Sequence, residues 1–267
     1  MTTSLNRSHI KALVAIVLLI LLGAICLQAG RWQLRRAGER EALSAAMAAG
    51  RVAPRITLDA EHPQGPDWHP AVASGHWLNQ FTVLLDNRNL QGMPGFWVAT
   101  PLALTAAPHT ALLVLRGWVA RQEAPAPMPD LRAASGPVTV QGTMLSHVPR
   151  MFDIGSLTGH LDTALPSVWP PAGGQPPRVQ NLALSDLQRA TGLTLLPVVL
   201  EQDPAHDAGL TQEWPGPSIN AGQNYNYAGQ WLSFATLAWA AAVYMAWRIW
   251  RPRRPSSPAD PTDITTP

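Results

Sequence analysis

Three histidines, His62, His69 and His76, recur every seven residues. On a helix that spacing would align three imidazoles on one face, the beginning of a metal site. Pro63, Gly65, Pro66 and Pro70 lie among them and forbid a helix there, so they are expected to be scattered surface and turn histidines. A single cysteine, Cys26, sits inside an apolar run, which excludes an intrachain disulfide, a CxxC redox pair and a cysteine-zinc site. The thiol reads as core or lipid-facing. No nucleophile elbow, P-loop, HExxH or glycine-rich dinucleotide turn occurs. The chain is therefore expected to be neither an enzyme nor a metalloprotein.

The cluster that remains is Asp86-Asn87-Arg88 with Gly92, Pro94, Gly95, Thr100 and Pro101, followed by Arg116-Gly117-Trp118. Arg116 ends a strand-like apolar run (ALLVL), so its guanidinium is expected near buried surface, where it needs a carboxylate. Asp86, at the end of another strand run, is the candidate partner. Strand-end charges of this kind fix register more often than they bind substrates.

The elements that must position these residues follow from hydropathy and charge. Residues 12–30 (ALVAIVLLILLGAICLQAG) and 228–247 (AGQWLSFATLAWAAAVYMAW) carry no charge. At about 1.5 Å per helical residue, each is long enough to cross the roughly 30 Å hydrocarbon core of a bilayer. The first is read as a retained anchor, because the run exceeds a signal-peptide core and lacks a small-x-small cleavage site. Ala238, Ala242 and Ala246 give the second a small-residue face, with Gly23 a plausible counterpart. Four arginines follow the second span and no Lys or Arg lies in the approximately 20 residues before it. That asymmetry places both termini (1–11 and 248–267) in the cytoplasm, although the arginines after the first span point the other way. Trp32 and Trp231 then fall at the outer interface, Trp247 and Trp250 at the inner one. Residues 31–227 hold 13 Arg against 15 acidic residues, a net of −2, which argues against nucleic-acid binding.

Within that loop, Arg35 to Ala49 reads as a short helix ended by Gly50. Thereafter short apolar runs alternate with Pro and Gly, the pattern of a β-rich antiparallel sandwich or open barrel. The expected strands are Ala71 to Trp77, Phe81 to Leu85, Phe96 to Leu104, Ala111 to Val119, Val138 to Met144 and Leu195 to Glu201. Pro94-Gly95 is expected to turn the chain ahead of the third. Ser185 to Thr191 reads as one or two helical turns, and Ala124 to Pro129 and Pro170 to Pro177 as stiff segments that break the sheet. The tail after Pro252 is expected to be disordered.

Four blocks carry a resemblance to a known family: GRWQLRR (30–36), VLLDNRNLQGMPGFWVATPL (83–102), VLRGWV (114–119) and NYAGQW (226–231). In order and placement they are similar to the signature blocks of the Surfeit-locus-protein-one family. The resemblance implies a membrane-anchored assembly factor, or chaperone, for cytochrome c oxidase or a related haem-copper oxidase in the bacterial inner membrane. It implies a transient cofactor, haem a, and as partners the lipid bilayer, the oxidase catalytic subunit and haem a synthase. It carries Trp32, Asn224, Tyr227 and Trp231 over as cofactor-binding positions. Gly30, Asp86, Asn87, Arg88, Gly92, Pro94, Gly95, Pro101, Arg116, Gly117 and Trp118 carry over as structural ones. The family's last block reads His-x-x-Tyr-Ala-x-x-Trp, and aligning Tyr227, Ala228 and Trp231 puts Asn224 at the histidine. An amide is no strong axial ligand to haem iron, so the resemblance equally admits a haem-independent scaffold that docks oxidase subunits.

Overall fold

The computed structural model describes residues 7–122, 129–151, 165–171, 174–204, 209–216 and 219–251. The stiff segment expected from Ala124 falls, Pro129 apart, outside them, as does the tail after Pro252. In chain order the elements are α1 (Arg7–Arg51), β1 (Ile56–Thr57), β2 (Pro70–Trp77), β3 (Val83–Leu90), β4 (Met93–Leu104), β5 (Ala107–Ala120), β6 (Pro137–Leu145), β7 (Arg178–Val179), α2 (Leu184–Thr191), β8 (Thr194–Gln202) and α3 (Gly222–Trp250). They form two compact units, a helical one (Met1–Ala42 with Ile219–Pro267) and a β-rich one (Leu43–Ser218).

In the helical unit, α1 and α3 are long and apolar enough to cross a membrane. The separate helix expected at Arg35 to Ala49 does not exist as such: α1 is one helix of 45 residues. Gly30 is its one weak point at the expected break, and the Leu, Gln, Arg and Ala around it are strong helix formers that outweigh a single glycine. The two helices run antiparallel, Gly23 meeting Trp239 and Gly30 meeting Leu232. Small residues make this approach possible. Gly23, Cys26, Gly30 and Ala37 are buried on α1, and Ala228, Ala235, Ala238 and Ala242 on α3. Cys26 is thus a packing residue. The expected alanine face holds at Ala238 and Ala242, but Ala246 is exposed. Gly23 receives the indole of Trp239, whose Nε1 donates to the Ile20 carbonyl at 3.3 Å.

The six expected strands are β2, β3, β4, β5, β6 and β8. They do not make a sandwich or an open barrel. The cyclic order β2-β6-β8-β5-β4 closes on itself through β2–β4 pairing, giving a five-strand barrel. Closure depends on the length of β4, whose first half pairs with β3 and whose second half pairs with β2. One pair within the barrel, β5 with β8, is parallel. Leu102, Leu104, Leu112, Val114, Val140, Leu196, Val198 and Leu200, alternate residues of its strands, form one apolar cluster inside the ring. Residues of opposite parity, among them Trp97, Ala99, Leu113, Leu115, Leu145 and Val199, form a second cluster with β3 and Leu187 of α2. The expected turn at Pro94-Gly95 is displaced. The β3–β4 hairpin turns at Gln91 (φ 49°) and Gly92 (φ 85°), since two residues with positive φ suit the right-handed twist of the strands. Pro94 and Gly95 already pair with Asn89 and Arg88.

Candidate functional site

The two motif blocks of the β-rich unit coincide with two bulges on either side of β4. On β3, pairing passes from Leu85–Trp97 to Arg88–Gly95, so Asp86 and Asn87 stand opposite Phe96 alone. On β5, pairing passes from Val98–Gly117 to Ala99–Leu115, which leaves Arg116 as the extra residue. Bulges re-aim side chains and sharpen the local twist. Asn87 takes a left-handed conformation (φ 59°), its N–H bonded to the Asp86 carboxylate. Asp86 pairs with Arg121 and not, as expected, with Arg116: it stands opposite Phe96, which pairs on its other side with Val119, two residues before Arg121. Buried Arg116 instead donates to the Leu131 carbonyl, with its guanidinium 5.4 Å from the centre of the Trp77 ring. Gly117 passes against Leu210.

Arg88, Gly95 and Trp118 interlock. Trp118 Nε1 donates to the Arg88 carbonyl at 2.7 Å, and a Cβ on Gly95 would lie 2.4 Å from that indole. Thr100 is joined to Thr82 by a buried hydroxyl pair at 3.0 Å, and the Pro101 carbonyl accepts the N–H of Leu78.

Beside this interlock lies a cavity of about 850 Å³, wholly within the β-rich unit. Its walls include Trp68, Trp97, Trp214 and Leu145, with Met47 from the end of α1. Trp97 and Trp214 meet edge to face at 5.3 Å, and Trp214 Nε1 donates to the Gln202 carbonyl at 2.9 Å. Two buried polar side chains line it, Arg88 at 3% exposure and Glu201 at 7%. The Arg88 guanidinium stands 4.5 Å over the Trp97 ring. Its Nη2 donates to the carbonyls of Pro149 and Gln180 at 2.9 and 3.1 Å, while Nε has no partner among the described residues. Burial lowers its pKa to about 10, so it remains a cation at neutral pH. Burial pushes the Glu201 carboxyl up to about 7.

The helix-mouth residues carried over from the family blocks lie in the helical unit. Asn224 is buried, and its Nδ2 donates to Gln33 Oε1 at 2.7 Å. Its Oδ1 has no partner among the described residues. Trp32, Tyr227 and Trp231 are exposed, and Trp231 makes an edge-to-face contact with Phe234, 6.1 Å away. Asn224 offers an amide and not an imidazole, so it does not fit the part of an axial haem ligand. His62 lies beside Asp59, His76 is exposed, and no group of three or more His, Cys, Asp or Glu side chains placed to hold a metal ion occurs among the described residues.

Glu201 and Trp214 are absent from the motif blocks. Glu201 had a signal of the same kind as Arg116, a charge at the end of an apolar run (LLPVVL). Trp214, outside every strand, had none.

Residues 20–236 match the model of the SURF1 family. No curated protein matches the chain.

Proposed function

Because the chain belongs to the SURF1 family of cytochrome c oxidase assembly factors, we propose that it serves a cytochrome c or related haem-copper terminal oxidase and assists insertion of haem a into the catalytic subunit. The observation that carries this reading is the extent of the match, which begins within α1, takes in the whole barrel and ends within α3. On this reading α1 and α3 anchor the chain in a bacterial inner membrane with both termini in the cytoplasm. The β-rich unit faces outward to meet the catalytic subunit and haem a synthase. Haem a is engaged only in passing, through the exposed rings of Trp32, Tyr227 and Trp231, with the iron ligand supplied by another subunit.

A specific observation favours a second reading, a haem-independent scaffold that docks oxidase subunits. The position where a ligand is expected holds Asn224, and its amide is committed to Gln33. Deleting the gene should lower oxidase activity and the haem a content of the membranes; normal values of both would refute the assembly role. Purification from a host that makes haem a, followed by a visible spectrum, separates the two readings. A haem a band supports delivery, and a colourless protein supports the scaffold.

A further inference from the structure

Neither reading assigns a role to the cavity beside Arg88. We propose that it binds an anionic amphiphile, a molecule with one acidic head group and an apolar body, the head accepting the Nε–H of Arg88 and the body lying against Trp68, Trp97 and Trp214.

Four observations carry this. A buried guanidinium normally acquires an anionic partner, yet among the described residues Arg88 meets two carbonyls and a ring face, and its buried Nε–H has no acceptor. The volume, about 850 Å³, is that of a small-molecule site. One part of the wall is apolar, built from Trp68, Trp97, Trp214, Met47 and Leu145, and charged side chains stand beside it, the two kinds of surface an amphiphile needs. Trp68 is held with φ at 68°, a conformation costly for a large side chain. Its N–H is bonded to the Met144 carbonyl and its own carbonyl packs on Gly50, so its ring stays in the wall.

Charge selects the head group. Among the described residues the charged and titratable groups lining the cavity are Arg51 on α1, Asp67 and Arg88, then His147 and Arg150 after β6, and Glu201 on β8. Asp67 is engaged by the N–H and hydroxyl of Ser146. Three arginines against one carboxyl with no bonded partner among the described residues favour an anion. Glu201 then opposes the head group when ionised and donates to it when protonated. Binding therefore tightens as pH falls.

The test uses the full chain in lipid nanodiscs, with empty discs as reference, and titration calorimetry with octanoate, octanol, octyltrimethylammonium and inorganic phosphate. Octanoate should bind at one site per chain, and octanol and the cation should not. Arg88→Gln should weaken octanoate roughly tenfold or more, the range for a hydrogen bond to a charged group. Glu201→Gln, nearly isosteric and expected to fold, should retain binding. It should also remove most of a roughly tenfold gain between about pH 8 and about pH 6, the change in the fraction of a carboxyl protonated near 7. Octanoate uptake equal to that of empty discs would overturn the proposal. So would phosphate binding as tightly as octanoate, which would make the apolar wall irrelevant. Unchanged pH dependence in Glu201→Gln would overturn the placement of the head group.

Discussion

The indole N–H of Trp118 reaches across β4 to the carbonyl oxygen of Arg88, 2.7 Å away, over the space where Gly95 lacks a side chain. Two motif blocks thus meet at one point. The glycine admits the ring, the ring fixes the β3 backbone, and that backbone holds the Arg88 guanidinium over Trp97.

Gly95→Ala should therefore destabilise the β-rich unit by about 2 kcal/mol, the order expected when a close-packed site is overfilled. Urea unfolding of the full chain, followed by tryptophan fluorescence, checks this. A loss below half a kcal/mol would mean that the Trp118 ring can move aside at little cost.

The β3–β4 turn gives a prediction of opposite sign. Gln91 occupies a left-handed conformation with φ at 49°, ahead of Gly92 at 85°. Asn tolerates that conformation better than Gln, so Gln91→Asn should stabilise by about half a kcal/mol. Gly92→Ala should cost about 1 kcal/mol, although a Cβ there meets nothing within 4 Å. Unfolding midpoints of the two variants should move in opposite directions.

Glu201 makes stability depend on pH. Its carboxyl titrates near 7 in the fold and near 4.5 when unfolded, so between those values the folded chain binds the extra proton. Stability is then greatest at and below about pH 4.5 as far as this group is concerned, and declines as pH rises to about 7, by up to roughly 3 kcal/mol. Glu201→Gln should flatten that decline. Unfolding free energies of both proteins at pH 5.5 and pH 8 measure it, and parallel profiles would show that another group is responsible.

The Asn224–Gln33 pair joins the two helices through an amide hydrogen bond. Asn224→Leu alone strands the Gln33 oxygen and should cost about 1 kcal/mol, the usual scale for polar contacts between apolar helices. Adding Gln33→Leu should recover most of it. A double-mutant cycle on the thermal stability of the full chain would expose additivity, which would contradict the coupling.

Asn224→His tests the position itself. If the helix mouth lies against haem a during delivery, the imidazole should create a haem band in protein purified from a host that makes haem a. An unchanged spectrum would remove Asn224 from any haem contact.

The strands were readable because Val, Leu and Ala runs such as ALLVL alternate with Gly and Pro, and burial on one face imposes that pattern. Closure of the barrel was not, since it depends on β4 forking between β3 and β2, a non-local choice that the β4 run alone does not encode. The turn was misplaced by its composition. Pro94-Gly95 looks like a corner, but Gly95 is a glycine for the sake of Trp118, while Gln91 carries no turn signature. The helix-mouth residues were nameable from the GRWQLRR and NYAGQW blocks, yet that Asn224 turns inward to Gln33 while Trp32 faces outward depends on how the two helices pack. The cavity was invisible because Arg88, Glu201 and Trp214 lie far apart in the chain.

One consequence of the sheet order concerns behaviour before and during assembly. Among the described residues the eight-stranded sheet ends on β1 and β7, each only two residues long and each pairing parallel to its neighbour. A ladder that short offers another chain almost nothing to extend. The ring closed by β2 and β4 removes the long edges that those strands would otherwise expose. Copies of the chain thereby resist sticking to one another by strand exchange, and self-association is left to side chains.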